Sequence, residues 1–193
     1  MIVYYALLVV IAFERLAELV VSQRHAAASL RRGGVEYGQG HFPVMVALHV
    51  ALLADGGVES GLGHFPVMVA LHTALLLGCV LEPVLGHRSF IPALAWPMLA
   101  LVVAANALRW WCIATLGPRW TARVIVMPGM PLVRKGPYRW FAHPNYVAVI
   151  VEGAALPLVG SAWITACTFT ALNAALLTVR VRCETRALAA AAP

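Results

Sequence analysis

The residues best equipped for chemistry stand in one run, LVRKGPYRWFAHPNY at residues 132–146, where a polar, aromatic, proline-punctuated loop opens into an apolar stretch. Pro144 suits the first turn of a helix, because its missing N–H would have no intrahelical partner there and its fixed φ is already helical. The free N–H groups and positive dipole end of that turn favour an anionic group such as a carboxylate or phosphate. His143 and Tyr146 are three apart on one face, so both can touch the same bound molecule. The same residues also fit a plainer reading, in which His143 only caps the helix and the aromatics form an interfacial belt.

Glu152 lies two turns deeper in the same apolar stretch. An ionisable group at membrane depth is either functional or the partner of an arginine on a neighbouring helix. A second cluster follows near the C-terminus, where Arg180, Arg182, Glu184 and Arg186 fall at helical spacing. Its carboxylate can hold the two hydroxyls of a ribose or simply neutralise Arg180, four residues earlier. Glu14, Arg15, Glu18, Asn106 and Arg109 stand near the inner ends of their helices, and their gathering at one level predicts a polar cavity there.

These groups need a scaffold, and the composition says which kind. With 62% hydrophobic and 11% charged residues and a mean hydropathy of +0.83, the chain has too little polar surface to wrap itself in water. It reads as one all-α membrane domain over residues 1–193, with room for about four to six spans of roughly 20 residues and none for a separate soluble catalytic domain. The excess of Lys+Arg over Asp+Glu, 14 against 8, comes in short clusters between apolar runs. That pattern sets topology and excludes a nucleic-acid surface.

Spans are expected at residues 2–21, 65–81 and 93–116, and a tight hairpin at 146–159 and 162–179 about Gly160-Ser161. Residues 82–92 read as a turn rich in Pro and Gly. The basic clusters after residue 21, between 119 and 139, and from Arg180 onward all lie on one side in a scheme of about five crossings. The N-terminus is then outside and the C-terminus cytoplasmic. Residues 33–55 and 56–78 form a tandem repeat, GGVEYGQGHFPVMVALHVALLAD followed by GGVESGLGHFPVMVALHTALLLG. The apolar core of copy one, residues 42–53, would be only ~18 Å long as a helix against a ~30 Å hydrocarbon layer. It is therefore expected to form a short interfacial or re-entrant helix, and copy two a true span.

Cys79, Cys112, Cys167 and Cys183 show neither CxxC nor closely spaced histidines, so no metal site and no disulfide framework is signalled. His41/His49 and His64/His72 are copies of one pattern, each pair about 80° apart around a helix. They are expected to be structural or interfacial.

The run at 132–146, followed by Glu152, Pro157 and RVRCETRAL, resembles the isoprenylcysteine carboxyl methyltransferase superfamily, and more closely its bacterial branch that methylates alkylpyrones. The likeness extends to ERLAELVVSQRH and LRWWCIATLGPRWTARVIVMPG, so it covers most of the chain apart from the extra repeat. It implies a catalytic core at residues 117–193 and S-adenosylmethionine (SAM) as cofactor, held by Leu132, Val133, Gly136, Tyr138, His143, Pro144, Tyr146, Glu184 and Leu188. It also implies a lipophilic acceptor entering sideways from the lipids of a bacterial plasma membrane.

Two departures stand out: Ala142 occupies the place of the family's arginine before His-Pro, and Glu184-Thr185 that of a pair of adjacent acids. Arg123, Arg139 and Arg180 are the candidates to orient an acidic acceptor instead. Glu152 is the candidate base for a less acidic phenol. An NADPH-dependent membrane lipid reductase on a related core, and a non-catalytic membrane scaffold, are the alternatives.

Overall fold

Proline and glycine set the helix limits in this chain. The computed structural model describes residues 2–37 and 64–191, with backbone alone for 64–66. Its regular elements are α1 (Ile2–Arg31), β1 (Val35–Tyr37), α2 (His64–Leu85), α3 (Pro92–Leu116), β2 (Val124–Val126), α4 (Pro144–Val159) and α5 (Trp163–Ala190). Pro92 and Pro144 open α3 and α4 at the first turn, as their preset φ favours. Gly117, at φ 52°, closes α3 in the left-handed region that glycine enters without strain. Gly160 and Ser161 turn the chain between α4 and α5, where Ala162 N–H donates to Pro157 O at 2.9 Å.

The chain is an all-α membrane protein. Stretches at Val67–Leu85, Pro92–Arg119 and Trp163–Ala190 are long and apolar enough to cross a bilayer. The other two helices fall outside that set. α4 has 16 residues, ~24 Å against a ~30 Å core. α1 runs 30 residues, ending ten residues beyond the span expected at 2–21, and carries Glu14, Arg15 and Glu18 in its middle. Large apolar side chains such as Val9, Phe13, Leu81, Val103 and Ile164 point outward, as they must where the surrounding solvent is hydrocarbon.

α4 sits at the centre: ten of its sixteen residues are buried, Glu152 and Gly153 among them. It packs against α3 and α5, and its Leu156 and Val159 share a core with Tyr4 and Leu8 of α1, Leu71 and Leu75 of α2, Val102 of α3 and Phe169 of α5. Gly153 permits this, since a Cβ there would lie 2.1 Å from Phe169 Cε1.

Two features depart from the sequence reading. β1 and β2 pair antiparallel, with Val35 opposite Val126 and Tyr37 opposite Val124, a ribbon the helical pattern did not foretell. Strands this short carry too little alternation to register against the flanking apolar runs. Glu82, read as part of a turn, lies inside α2 and accepts from the Ile164 and Thr165 N–H groups at 3.1 and 2.7 Å, capping α5 from another helix. Copy two of the repeat does continue into a helix, from His64, whereas the interfacial helix expected for copy one falls outside the described residues.

Candidate cofactor and acceptor cavity

A single cavity of about 820 Å³ runs from the loops beyond α3 down between the helices, lined by residues of all five. Its floor is the segment from Trp120 to Arg123, held from both sides. On the α1 side, Ala122 N–H donates to Ser22 Oγ at 2.8 Å and His25 Nδ1 donates to Trp120 O at 2.9 Å. From α5, Arg180 Nη2 donates to Ala122 O. Ser22 and His25 lie within α1, beyond the span expected at 2–21.

At one end stands a constellation built on Tyr146. Its hydroxyl donates to Glu184 Oε2 at 2.5 Å and accepts from Arg180 Nε at 2.9 Å. The expected Arg180–Glu184 pair thus meets through a phenol rather than directly. Arg180 is buried, its Nη1 lying 3.6 Å from Met68 sulfur and its guanidinium 5.7 Å from the Tyr146 ring centroid. His143 stacks on Tyr146 with ring centroids 5.6 Å apart and 27° between planes. It does not cap α4 with its side chain. Its Nδ1 lies 3.7 Å from Glu184 Oε2 and its Nε2 3.2 Å from Thr185 Oγ1.

Glu184 Oε1 has no hydrogen-bond partner among the described residues, so a carboxylate oxygen remains for a ligand hydroxyl. Asn145 lines the same wall, and its buried Oδ1 is also unpartnered. Unpaired buried acceptors mark places where a ligand or water supplies the donor. The ring pair and the carboxylate stand together at one end of a cavity large enough for a small-molecule ligand.

The expected cofactor residues divide by position. Leu132, Val133, Tyr138, His143, Tyr146, Glu184 and Leu188 all line the cavity. Gly136 and Pro144 do not touch it. Gly136, at φ 52°, faces α3, where a Cβ would meet Thr115 Oγ1 at 2.5 Å, and Pro144 sits buried at the first turn of α4. Burial, with the Cys112 thiol alongside, lifts the Tyr138 phenol above its ordinary range, so it stays a neutral hydroxyl.

Of the candidate arginines, Arg123 and Arg180 face the cavity, Arg123 also lying 3.3 Å from Glu36 on β1. Arg139 is outside the lining, its guanidinium 5.1 Å from the Trp140 ring centroid. Ala142 lines the cavity, so the missing family arginine leaves open space. Arg119 and Arg134, read from sequence only as topology determinants, line it too.

Deeper in, the expected polar gathering is present. Arg109 holds Glu18 through two bonds of 2.7 and 2.5 Å, a fork-to-carboxylate pairing. Arg15 donates to Glu18 at 3.0 Å and to Asn106 Oδ1 at 2.8 Å, and reaches Glu152 at 3.6 Å. Arg15, Glu18 and Arg109 line the large cavity, whereas Glu152 lines a separate void of about 20 Å³ behind it. Glu152 therefore meets the arginine of a neighbouring helix. His72 and Asn173, which the sequence did not single out for chemistry, also line the cavity. Both were hidden in apolar runs where a lone polar residue reads as packing.

The chain is 29% identical over 186 residues, 96% of each chain, to the uncharacterized protein YpbQ of Bacillus subtilis (strain 168). Residues 98–190, which carry His143, Tyr146, Arg180 and Glu184, match the model of the isoprenylcysteine carboxyl methyltransferase (ICMT) family.

Proposed function

We propose that this protein is a SAM-dependent O-methyltransferase acting on a lipophilic acceptor, an alkylpyrone-like enol, a phenol or a carboxylate, at the cytoplasmic membrane face. The observation that carries this reading is the meeting of His143, Tyr146 and Glu184 on the wall of a cavity that continues to the polar cluster of α1 and α3. Glu184 Oε1 would hold the ribose hydroxyls, with the stacked His143 and Tyr146 rings at the same end of the cavity. Leu132, Val133 and Leu188 would supply apolar surface for the nucleoside. When bound, SAM supplies an electrophilic methyl group. Transfer is an in-line displacement, so the protein's work is chiefly to align the two partners and exclude water.

The basic residues Arg119, Arg123 and Arg134 at the loop end favour the cytoplasmic side for that end. With it go an outside N-terminus and a plasma-membrane setting.

The test is ligand choice in the purified, detergent-solubilised protein. SAM binding by calorimetry, together with a one-methyl mass shift in lipids from expressing cells, is the expected outcome. Binding of NADPH without SAM would reverse the assignment toward a reductase, and binding of neither would leave a membrane scaffold.

A further inference from the structure

The deep part of the cavity holds side chains that the cofactor constellation does not use. His72 of α2 lies with Nδ1 2.8 Å from the carbonyl oxygen of Met68. A carbonyl has no proton to give, so Nδ1 carries the hydrogen and Nε2 of the neutral ring keeps a lone pair. Phe169 of α5 meets that ring edge-on, centroids 5.3 Å apart at 86°, and fixes its plane. One helical turn along α5, Asn173 lines the same cavity at 2% exposure, and its buried Oδ1 has no hydrogen-bond partner among the described residues.

We propose that His72 and Asn173 form the acceptor subsite of the methyltransferase proposed above, taking a lipid whose reactive group is a neutral, phenol-like hydroxyl, with His72 Nε2 as the base. The inference rests on that functional reading and narrows its substrate class. Both groups offer lone pairs to a ligand that brings a proton. A preformed carboxylate finds less here, because Arg109 is doubly bonded to Glu18 and Arg15 is shared among Glu18, Asn106 and Glu152. Glu152 does not line the large cavity; it is drawn toward Arg15 and borders the small void that His72 and Arg15 also line. The reach is short: Met68, one turn from His72, touches Arg180, which holds Tyr146 at the cofactor end.

In the step, Nε2 takes the hydroxyl proton as the acceptor oxygen bonds to the methyl carbon. The carbon–sulfur bond breaks with its electron pair passing to sulfur, which ends neutral. The imidazolium then returns its proton to water through the cavity mouth. The charged groups around His72 are Arg15 and Glu18 from α1, Arg109 from α3, Glu152 from α4 and, beside Met68, Arg180 from α5, which also presents Phe169 and Asn173.

A 4-nitrophenol bearing a long alkyl chain tests this without methyl transfer, since its phenolate absorbs in the visible. Bound to wild-type protein in detergent without SAM, the probe is expected to ionise at a pH about one unit higher than in empty micelles, because the lone pairs of His72 Nε2 and Asn173 Oδ1 hold the neutral hydroxyl and not the phenolate. His72→Gln should abolish that shift, and Asn173→Ala should weaken probe binding about tenfold. With SAM present, His72→Gln should lower kcat on an alkylphenol by about a hundredfold or more, as loss of a general base does. Unchanged SAM affinity in His72→Gln, or in His72→Asn if the first variant folds poorly, shows that the site is intact.

An unshifted probe in the wild type, unchanged ionisation and kcat in His72→Gln, or transfer of both effects to Glu152→Gln would each overturn the subsite. Probe ionisation that depends on His72 in a protein that does not bind SAM would instead overturn the methyltransferase reading and leave the subsite standing.

Discussion

His143, at the threshold of α4, brings its Nδ1 to within 3.7 Å of Glu184 Oε2, near the end of α5, across the mouth of one cavity. The contact closes the hairpin at the end opposite its turn, so the two legs present an imidazole and a carboxylate to the same cavity. Their side chains are 20% and 31% exposed, open enough to be met from the cavity.

Glu184→Gln removes the charge while keeping the shape. Hydrogen bonds to charged groups contribute about 1.5–3 kcal/mol, so SAM affinity is expected to fall roughly ten- to a hundredfold. Isothermal titration in detergent measures it. An unchanged Kd would remove Glu184 from the cofactor site.

Tyr146→Phe preserves the stack on His143 but deletes the hydroxyl that links Arg180 to Glu184. Arg180 is 4% exposed and would lose a partner where water cannot replace it. A stability loss of about 1–3 kcal/mol is expected from the buried group left unpaired. Thermal unfolding in detergent should register it together with weaker SAM binding.

Glu18→Leu strands the Arg109 guanidinium at membrane depth. Breaking a buried pair from one side costs about 3–5 kcal/mol, whereas replacing both members with apolar residues can be close to neutral. The double variant Glu18→Leu/Arg109→Met should therefore be more stable than Glu18→Leu alone. Additive losses in a double-mutant cycle would contradict the pairing.

Gly153→Ala places a methyl 2.1 Å from a ring carbon of Phe169, inside a packed core. Overpacking of this kind costs about 1–3 kcal/mol. Because Phe169 also holds His72, this variant should lower stability and acceptor turnover while SAM affinity holds.

The sequence by itself determined the solvent of this protein, several helix ends and the region of the candidate site. Apolar runs of spanning length leave lipid as the only medium, and Pro92, Gly117, Pro144 and Gly160 mark helix ends through backbone constraints that act locally. His143, Tyr146 and Glu184 were legible for the same reason: they are polar groups at helical spacing beside apolar stretches. Tertiary structure decided the rest, since it depends on which helix faces which. Only packing seats Glu82 over the start of α5, turns Arg139 onto Trp140 and Glu152 toward Arg15, and brings His72 and Asn173 into one cavity. A lone polar residue in an apolar run reads identically whether it faces lipid, protein or a ligand. What distinguishes these cases is the partner across the helix interface, which no local pattern encodes.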